Sequence, residues 1–393
     1  MADGDGGSDS PSVAPVSAGS PGDEASRLRP DSEVNSVYVS FKGLTRVSPR
    51  AIIGECAALG RVRRMGDLRY ALEDADARLK ELGLFKDVRA DITVDPSGAV
   101  DISYVLEERK RELTVSGNVD KKGEVTCDVR AVQPALLGGP LCATGSMGGA
   151  ASQAREFGLR FSTPRFLGRR LAWSLDVASS ASDESQASSY SESLTHAYTR
   201  VTDDSGCHSF SVEAALRDIC PTVAGPRFPS PQVQAARLRS VKTSLAYSFS
   251  KSWADPTAPG AGFGLGAGPG ARARADVEAA VAPGDARFVR GEAHVGATCW
   301  LPWNVLGHVG AACGLLLPTD RQSTCLQDRF FLGGASGSSS IVKGFQHRGL
   351  GPMGACELRG AAKAGQRSVD GLGGDAMLNA FAAVSAPLWL PEG

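Results

Sequence analysis

Cysteine and histidine are the side chains with which this chain could do covalent or metal chemistry, and their spacing supports neither. The nine cysteines, at positions 56, 127, 142, 207, 220, 299, 313, 325 and 356, include no C-x-x-C pair. An odd, widely spaced set fits neither a disulfide framework nor a zinc site, so they read as reduced thiols, several packing as small apolar groups. The five histidines (His196, His208, His294, His308, His347) are dispersed, and none forms a local signature with a nucleophile and a carboxylate. A triad assembled by the fold alone stays open. The alternating glycines from Gly260 to Gly270 invite nucleotide binding, but G-x-G-x-x-G needs a glycine at an odd offset and this run has none. Lys343-Gly344 reverses the order of a phosphate-binding loop, and G-x-S-x-G and H-E-x-x-H are absent. The glycine run reads as a flexible insertion, and Arg237, Arg239 and Lys242 as a solvated loop edge. No catalytic residue, metal or cofactor is expected, and the chain does not read as an enzyme.

One segment asks for more. Asp328, Arg329, Phe330, Phe331, Leu332, Gly333 and Gly334 precede a Gly/Ser-rich bend, which leads to Val342, Lys343, Gly344 and Phe345. These residues sit in a connection of about fifty residues between strand patterns, far above ordinary loop length, and such loops are usually functional or disordered. Two apolar aromatic clusters and a cation beside a glycine suit a loop folded back onto its own scaffold.

The scaffold comes in three parts. Residues 1–34 hold seven acids against two bases, with no periodic apolar pattern, and read as a disordered acidic tail lacking the marks of a signal peptide or presequence. Next, Val37, Val39 and Phe41 alternate as a strand. Ser48-Pro49 opens a helix over Ile52, Ile53, Cys56 and Ala57 that ends at Gly60. Leu68, Leu72, Ala75, Leu79 and Leu82 place a second helix over about 66–82, with Gly83 as its cap. Two strands follow, carrying Val88, Ala90, Ile92, Val94 and then Val100, Ile102, Tyr104, Leu106, around a turn at Asp95-Pro96-Ser97-Gly98. The order is βααββ.

From about residue 111 helical periodicity gives way to repeated alternation, as at 157–161, 171–177, 241–249 and 288–300. A soluble sandwich and a membrane barrel both produce this pattern, and both remain open on pattern alone. Strand lengths of about ten residues, against a mean of about 5–6 in soluble sheets, favour the barrel. Balanced charge, with 42 Lys+Arg and 43 Asp+Glu, argues against a nucleic-acid partner. No apolar run is long enough for a membrane-spanning helix, a test to which strands are blind.

Asp328 to Gly334, then Val342 to Phe345, then Leu372-Gly373-Gly374-Asp375, resemble the sixth loop and following strand of the outer-membrane protein insertases: bacterial BamA, the core subunit of the mitochondrial sorting and assembly machinery (SAM), and chloroplast outer-envelope relatives. The βααββ unit resembles their POTRA domain, down to L-K-E-L-G-L-F at Leu79 to Phe85. The resemblance covers about 36–390. It implies an α+β POTRA domain over 35–109, followed by an all-β transmembrane barrel over 110–393, incomplete at about twelve of sixteen strands. Residues from Asp375 to Leu388 would form the twelfth strand, and the chain reads as a fragment or truncated product.

The resemblance also implies a function: insertion and assembly of β-barrel precursors in the mitochondrial outer membrane, through a lateral gate. The expected partners are β-barrel precursor polypeptides, accessory SAM-type subunits and membrane lipid. The mitochondrial branch is favoured because one POTRA unit fits before the barrel; a chloroplast insertase or translocation channel, and a passive outer-membrane pore, are the alternatives. Val342, Lys343, Gly344 and Phe345 would anchor the loop, with Asp328, Arg329, Phe330, Phe331, Gly333, Gly334 and Asp375 supporting it. Lys343 stands where the family has arginine, replacing a planar fork with a point charge, and Asp375 is its candidate partner. Leu113, Thr114, Val115, Ser116 and Gly117 would form the gate strand, which Gly117 weakens locally.

Overall fold

The computed structural model describes residues 32–95, 97–119, 125–150, 156–222, 227–236, 239–253, 269–302, 305–320, 324–334, 342, 345–358 and 368–386. The chain divides into two compact units between Arg109 and Lys110.

The first unit holds strand β1 (Ser36–Lys42), helices α1 (Pro49–Ile52) and α2 (Met65–Glu81), and strands β2 (Phe85–Val94) and β3 (Ala99–Glu108). Strand β3 is central, parallel to β1 and antiparallel to β2. That position explains why Val100, Ile102, Tyr104 and Leu106 are all buried, whereas Ile92, expected to point inward, is half exposed on the edge strand β2. The second helix falls where its period puts it, burying Leu68, Ala75 and Leu79, and Gly83 turns out of it at φ +67°. The first helix differs from expectation. It is one α turn followed by 3₁₀ turns at Ile53–Cys56 and Leu59–Arg61. Gly54 weakens a helix interior by about 1 kcal/mol relative to alanine, and burial of Ile52, Cys56 and Leu59 holds the segment without a continuous ladder.

Glu108 closes this unit. Its carboxylate accepts the backbone N–H groups of Thr45, Arg46 and Val47 at 2.8, 2.9 and 2.8 Å, and the Thr45 hydroxyl at 2.7 Å. Burial alone would raise its pKa, but these donors outweigh it and hold the group at about 2. Burial, with the charges of Glu55 and Asp76, pushes the Cys56 thiol up to about 11, as expected for an inert packing thiol.

The second unit is one antiparallel sheet of twelve strands in chain order: β4 (Glu112–Val119), β5 (Val125–Leu136), β6 (Leu141–Ala150), β7 (Glu156–Thr163), β8 (Ala172–Asp183), β9 (Tyr190–Thr202), β10 (His208–Pro221), β11 (Arg239–Ser252), β12 (Gly270–Ala280), β13 (Phe288–Leu301), β14 (Val305–Pro318) and β17 (Ala376–Ser385). The short hairpin β15 (Met353–Ala355) and β16 (Val369–Gly371) lies between β14 and β17. The expected strands at 157–161, 171–177, 241–249 and 288–300 are all present. The glycine run lies outside the described residues except for Gly270, which opens β12.

The register separates the two faces of the sheet. Trp173, Val201, Phe210, Tyr247, Val277, Gly291 and Leu315 stand in one row across neighbouring strands. That face is exposed: Val295, Val309 and Leu315 are 58%, 56% and 50% exposed. The opposite face carries the charges. Lys242 Nζ lies 2.7 Å from Glu213 and 2.8 Å from Glu278, so this lysine is an enclosed sheet residue and not part of a solvated loop edge. Arg274 pairs with Asp276, and Arg290 with Glu292. A sandwich would bury the apolar face and wet the polar one. Here the arrangement is inverted, which is the membrane-barrel pattern. Among the described residues no helix is long and apolar enough to cross a membrane, which leaves strands untested. Among the described residues the end strands β4 and β17 each have a strand partner on one side.

Candidate functional site

The connection between β14 and β17 folds onto the charged face of the sheet. Two glycines make the reversal: Gly333 and Gly334 lie at φ +102° and +91°, and a Cβ on Gly333 would meet the Gln346 carbonyl oxygen at 2.5 Å. Isolated bridges join Phe330 to Gly374, Leu332 to Leu350 and Gly334 to Val342. Each Phe330–Gly374 backbone hydrogen bond is 2.9 Å. The loop is thus built as an irregular sheet, which satisfies backbone groups that the interior would otherwise strand.

Two apolar plugs fix it in place. Phe330 packs with Ala280, Phe288, Ala312, Leu316 and Met377, from four neighbouring strands. Gly314 of β14 provides the seat, since a Cβ there would stand 2.7 Å from the Phe330 ring. Leu326 and Leu372 pack with Tyr190, Ile219 and Val233.

Charge locks the same contact. Arg217 of β10 donates to Asp328 at 2.6 Å, with the two side chains only 4% and 6% exposed. Arg290 of β13 lies over the Phe330 ring at 4.6 Å from its centroid. Arg348 sits 4.0 Å from the Phe331 ring centroid and 5.4 Å from that of Tyr190, bonds the Tyr190 hydroxyl, and pairs with Glu184 at 3.5 Å. Asp370, fully buried, accepts the Ser189 hydroxyl at 2.6 Å and the Ser230 N–H at 2.8 Å, with Arg227 at 3.6 Å. Through it the loop holds the β8–β9 and β10–β11 connections. Arg329 reaches Thr324 at 2.8 Å and Asp375 at 3.7 Å, and Thr324 donates to Asp375 at 2.7 Å.

At the far edge, β4 pairs with β5 through Leu113–Ala131, Thr114–Arg130, Val115–Val129, Ser116–Asp128 and Gly117–Cys127. Its other edge has no strand partner among the described residues, and Leu113 and Val115 are exposed.

A twelve-stranded sheet with its apolar face outward and a long loop folded onto its polar face matches a known domain. Residues 137–392 match the Omp85 superfamily domain. The chain belongs to the Omp85 superfamily. No curated protein sequence matches it. Among solved structures, BamA from Haemophilus ducreyi lacking POTRA domains 1-3 is similar over 91% of this chain and 68% of its own, at 14% identity and a TM-score of 0.69. CdiB from Acinetobacter baumannii (13% identity, 80% of this chain and 57% of that one, TM-score 0.43) and CdiB from Escherichia coli (11%, 82% and 59%, 0.45) match more loosely. Family and fold together make this an outer-membrane β-barrel protein of that superfamily.

In this Omp85 protein the expected support residues Asp328, Arg329, Phe330, Gly333, Gly334 and Asp375 converge on one docked loop, and Phe331 lies beneath Arg348. Val342 bridges to Gly334, whereas Phe345 is half exposed and holds the loop through its carbonyl, which accepts the Gly334 N–H at 3.1 Å. Lys343 and Gly344 lie outside the described residues. The described partners of Asp375 are Arg329 and Thr324. Sequence reasoning missed Arg217, Arg348, Asp370 and Arg227. The ion-pair and hydrogen-bond partners named for them above lie 111 to 181 positions away, so no local spacing reveals them. The one available signal was parity: in β10, Arg217 shares the face of Glu213 and Ala215, opposite Phe210 and Leu216.

Proposed function

We propose that this Omp85 protein inserts and assembles β-barrel precursor polypeptides in the mitochondrial outer membrane, using β4 as the template of a lateral gate. The observation that carries the reading is the outer edge of β4: its side chains from Glu112 to Gly117 are exposed, and among the described residues its one strand partner is β5. In lipid each unsatisfied N–H or C=O group costs several kcal/mol, so an incoming strand and this edge each supply what the other lacks. The work is strand pairing and involves no covalent step. The docked loop braces the polar face while the edge opens and closes.

The first unit is read as a POTRA domain that receives precursors or accessory SAM-type subunits along its sheet edge. Its βααββ order supports this, as does the 91% coverage of the BamA match, a larger share than the second unit alone can supply. The mitochondrial location is the finer part of the proposal and stands or falls by the fractionation below.

The test places single cysteines at 113–117 and at equivalent exposed positions of β10, in chain reconstituted with a stalled precursor. Crosslinks concentrated at 113–117 are expected. Crosslinks confined to the first unit refute the gate, and conductance without any insertion returns the protein to a passive pore. Fractionation of a tagged protein with mitochondria, and not with plastids, tests the location.

A further inference from the structure

The rim of the sheet opposite the docked loop carries a feature that strand pairing does not use. Two adjacent hairpins there are built alike. The β5–β6 turn places Leu137 at φ +57° followed by Gly138 at +74°; the β7–β8 turn places Leu167 at +53° followed by Gly168 at +71°. Left-handed tip positions favour Asn, Asp or Gly, and a leucine there is strained. Both leucines are also the most exposed large apolar side chains described, at 94% and 84%. A strained, solvent-facing leucine repeated on neighbouring turns points to a surface that something apolar covers.

The second turn adds charge and direction. From Thr163 to Ala172 it holds Arg165, Arg169 and Arg170 and no acid. Phe166 stacks on Trp173, with ring centroids 5.6 Å apart. Trp173 belongs to the outward apolar row, so this stacking leans the turn toward the lipid-facing side. Further along the same rim, Lys251 lies over Trp253 at 5.5 Å. Tryptophan, arginine and lysine at a strand end mark the headgroup level of a bilayer. On the neighbouring turn Asp204 lies 3.4 Å from Arg170 on the open surface.

We infer that this rim is an anionic-lipid site: Leu137 and Leu167 enter the acyl boundary while Arg165, Arg169 and Arg170 bind the phosphates of acidic phospholipids. It would hold the β5–β8 hairpins at a fixed depth. The inference rests on the outward apolar face and not on the insertase reading.

The test reconstitutes the full chain in phosphatidylcholine vesicles and measures association of spin-labelled phosphatidylglycerol relative to spin-labelled phosphatidylcholine. Wild type should prefer phosphatidylglycerol, less so as salt rises. The R165Q/R169Q/R170Q variant should lose that preference, by up to roughly fivefold for each arginine in contact. The R165K/R169K/R170K variant keeps the charge and should retain most of it. An unchanged preference in the glutamine variant overturns the inference, as does equal loss in the lysine variant, which would trace the effect to the fold of the turn. Loss of preference in wild type on adding inorganic phosphate at constant ionic strength would reassign the site to a free anion and overturn it too.

Discussion

Replacing Asp328 by asparagine tests whether the loop is locked by charge. Arg217 and Asp328 are 4% and 6% exposed and meet through a single 2.6 Å hydrogen bond. Among the described residues Arg217 Nε and Nη2 and Asp328 Oδ2 find no hydrogen-bond partner. The pair therefore carries the desolvation cost of two ions with only part of their bonding recovered, and its net contribution is small. Removing one partner is another matter, because the survivor is left charged and buried, at a cost of about 3–5 kcal/mol. That shifts the ratio of docked to undocked loop by a factor of roughly 150 to 4,000. D328N and R217M should each release the loop by this amount, while R217M/D328L, which replaces both ions with apolar volume, should recover most of it. Hydrogen exchange of the amides at 326–332 reads the docking equilibrium directly, and heat-dependent gel mobility reads the whole sheet. Two results would refute the reasoning. Single-variant losses below about 1 kcal/mol would show that water reaches the pair. A double variant as loose as the sum of the singles would show that shape, and not charge, does the locking.

Four further outcomes follow from the same geometry. Gly314→Ala should displace the Phe330 ring, cost about 1–3 kcal/mol and raise protease sensitivity of the loop, since the new Cβ would stand 2.7 Å from that ring. Lys242→Met leaves Glu213 and Glu278 facing each other without their shared cation and should lower the temperature of heat-modified mobility, whereas Lys242→Arg should hold near wild type. Glu108, held at about 2 against an ordinary value of 4.5, adds stability that is fully present above about pH 4.5 and lost as the pH falls through about 2. Glu108→Gln should remove about 2 kcal/mol at neutral pH and flatten that acid limb, read by hydrogen exchange at residues 45–47 in the full chain. Amides of β4–β6 should exchange faster than those of β10–β14, and equal protection across the sheet would show that the loop braces nothing.

Much of the fold was legible because two periods were. The alternation of Val289 to Cys299 against Arg290 to Thr298 gives a strand with one apolar face whatever surrounds it, and the spacing from Leu68 to Leu82 gives a helix. The first helix was misread because Ile52, Cys56 and Leu59 also satisfy a helical spacing when the ladder between them is broken. Lys242 was misread for the opposite reason. With Arg237 and Arg239 beside it in the sequence it reads as a solvated loop edge, but in a strand the relevant neighbours lie across the ladder, and those are Glu213 and Glu278. The candidate site was legible as a motif and not as a lock. Phe330 and Gly333 stand out in the chain, but Arg217, Arg348 and Asp370 make their hydrogen bonds to Asp328, Tyr190 and Ser189, each more than a hundred positions away.

The lock also falls unevenly, and that bears on how an edge strand can open. Its described contacts reach β9, β10, β12, β13, β14 and β17, through Tyr190, Arg217, Ala280, Phe288, Leu316 and Met377, and the turns at 184–189 and 227–236. None of the described loop contacts falls on β4 to β7. In those four strands Pro134 and Ala135 are the buried apolar side chains described, while two clusters around the loop bury eleven. A sheet that must offer one edge to a partner and keep its shape meets two opposed demands, because each added contact on the edge strand raises the barrier to releasing it. Concentrating packing and buried charge on the half that carries the loop separates them. Among the described residues the β4 edge is held by one ladder with β5, so the exchange of partners proposed for it would disturb neither the Phe330 plug nor the Arg217–Asp328 pair.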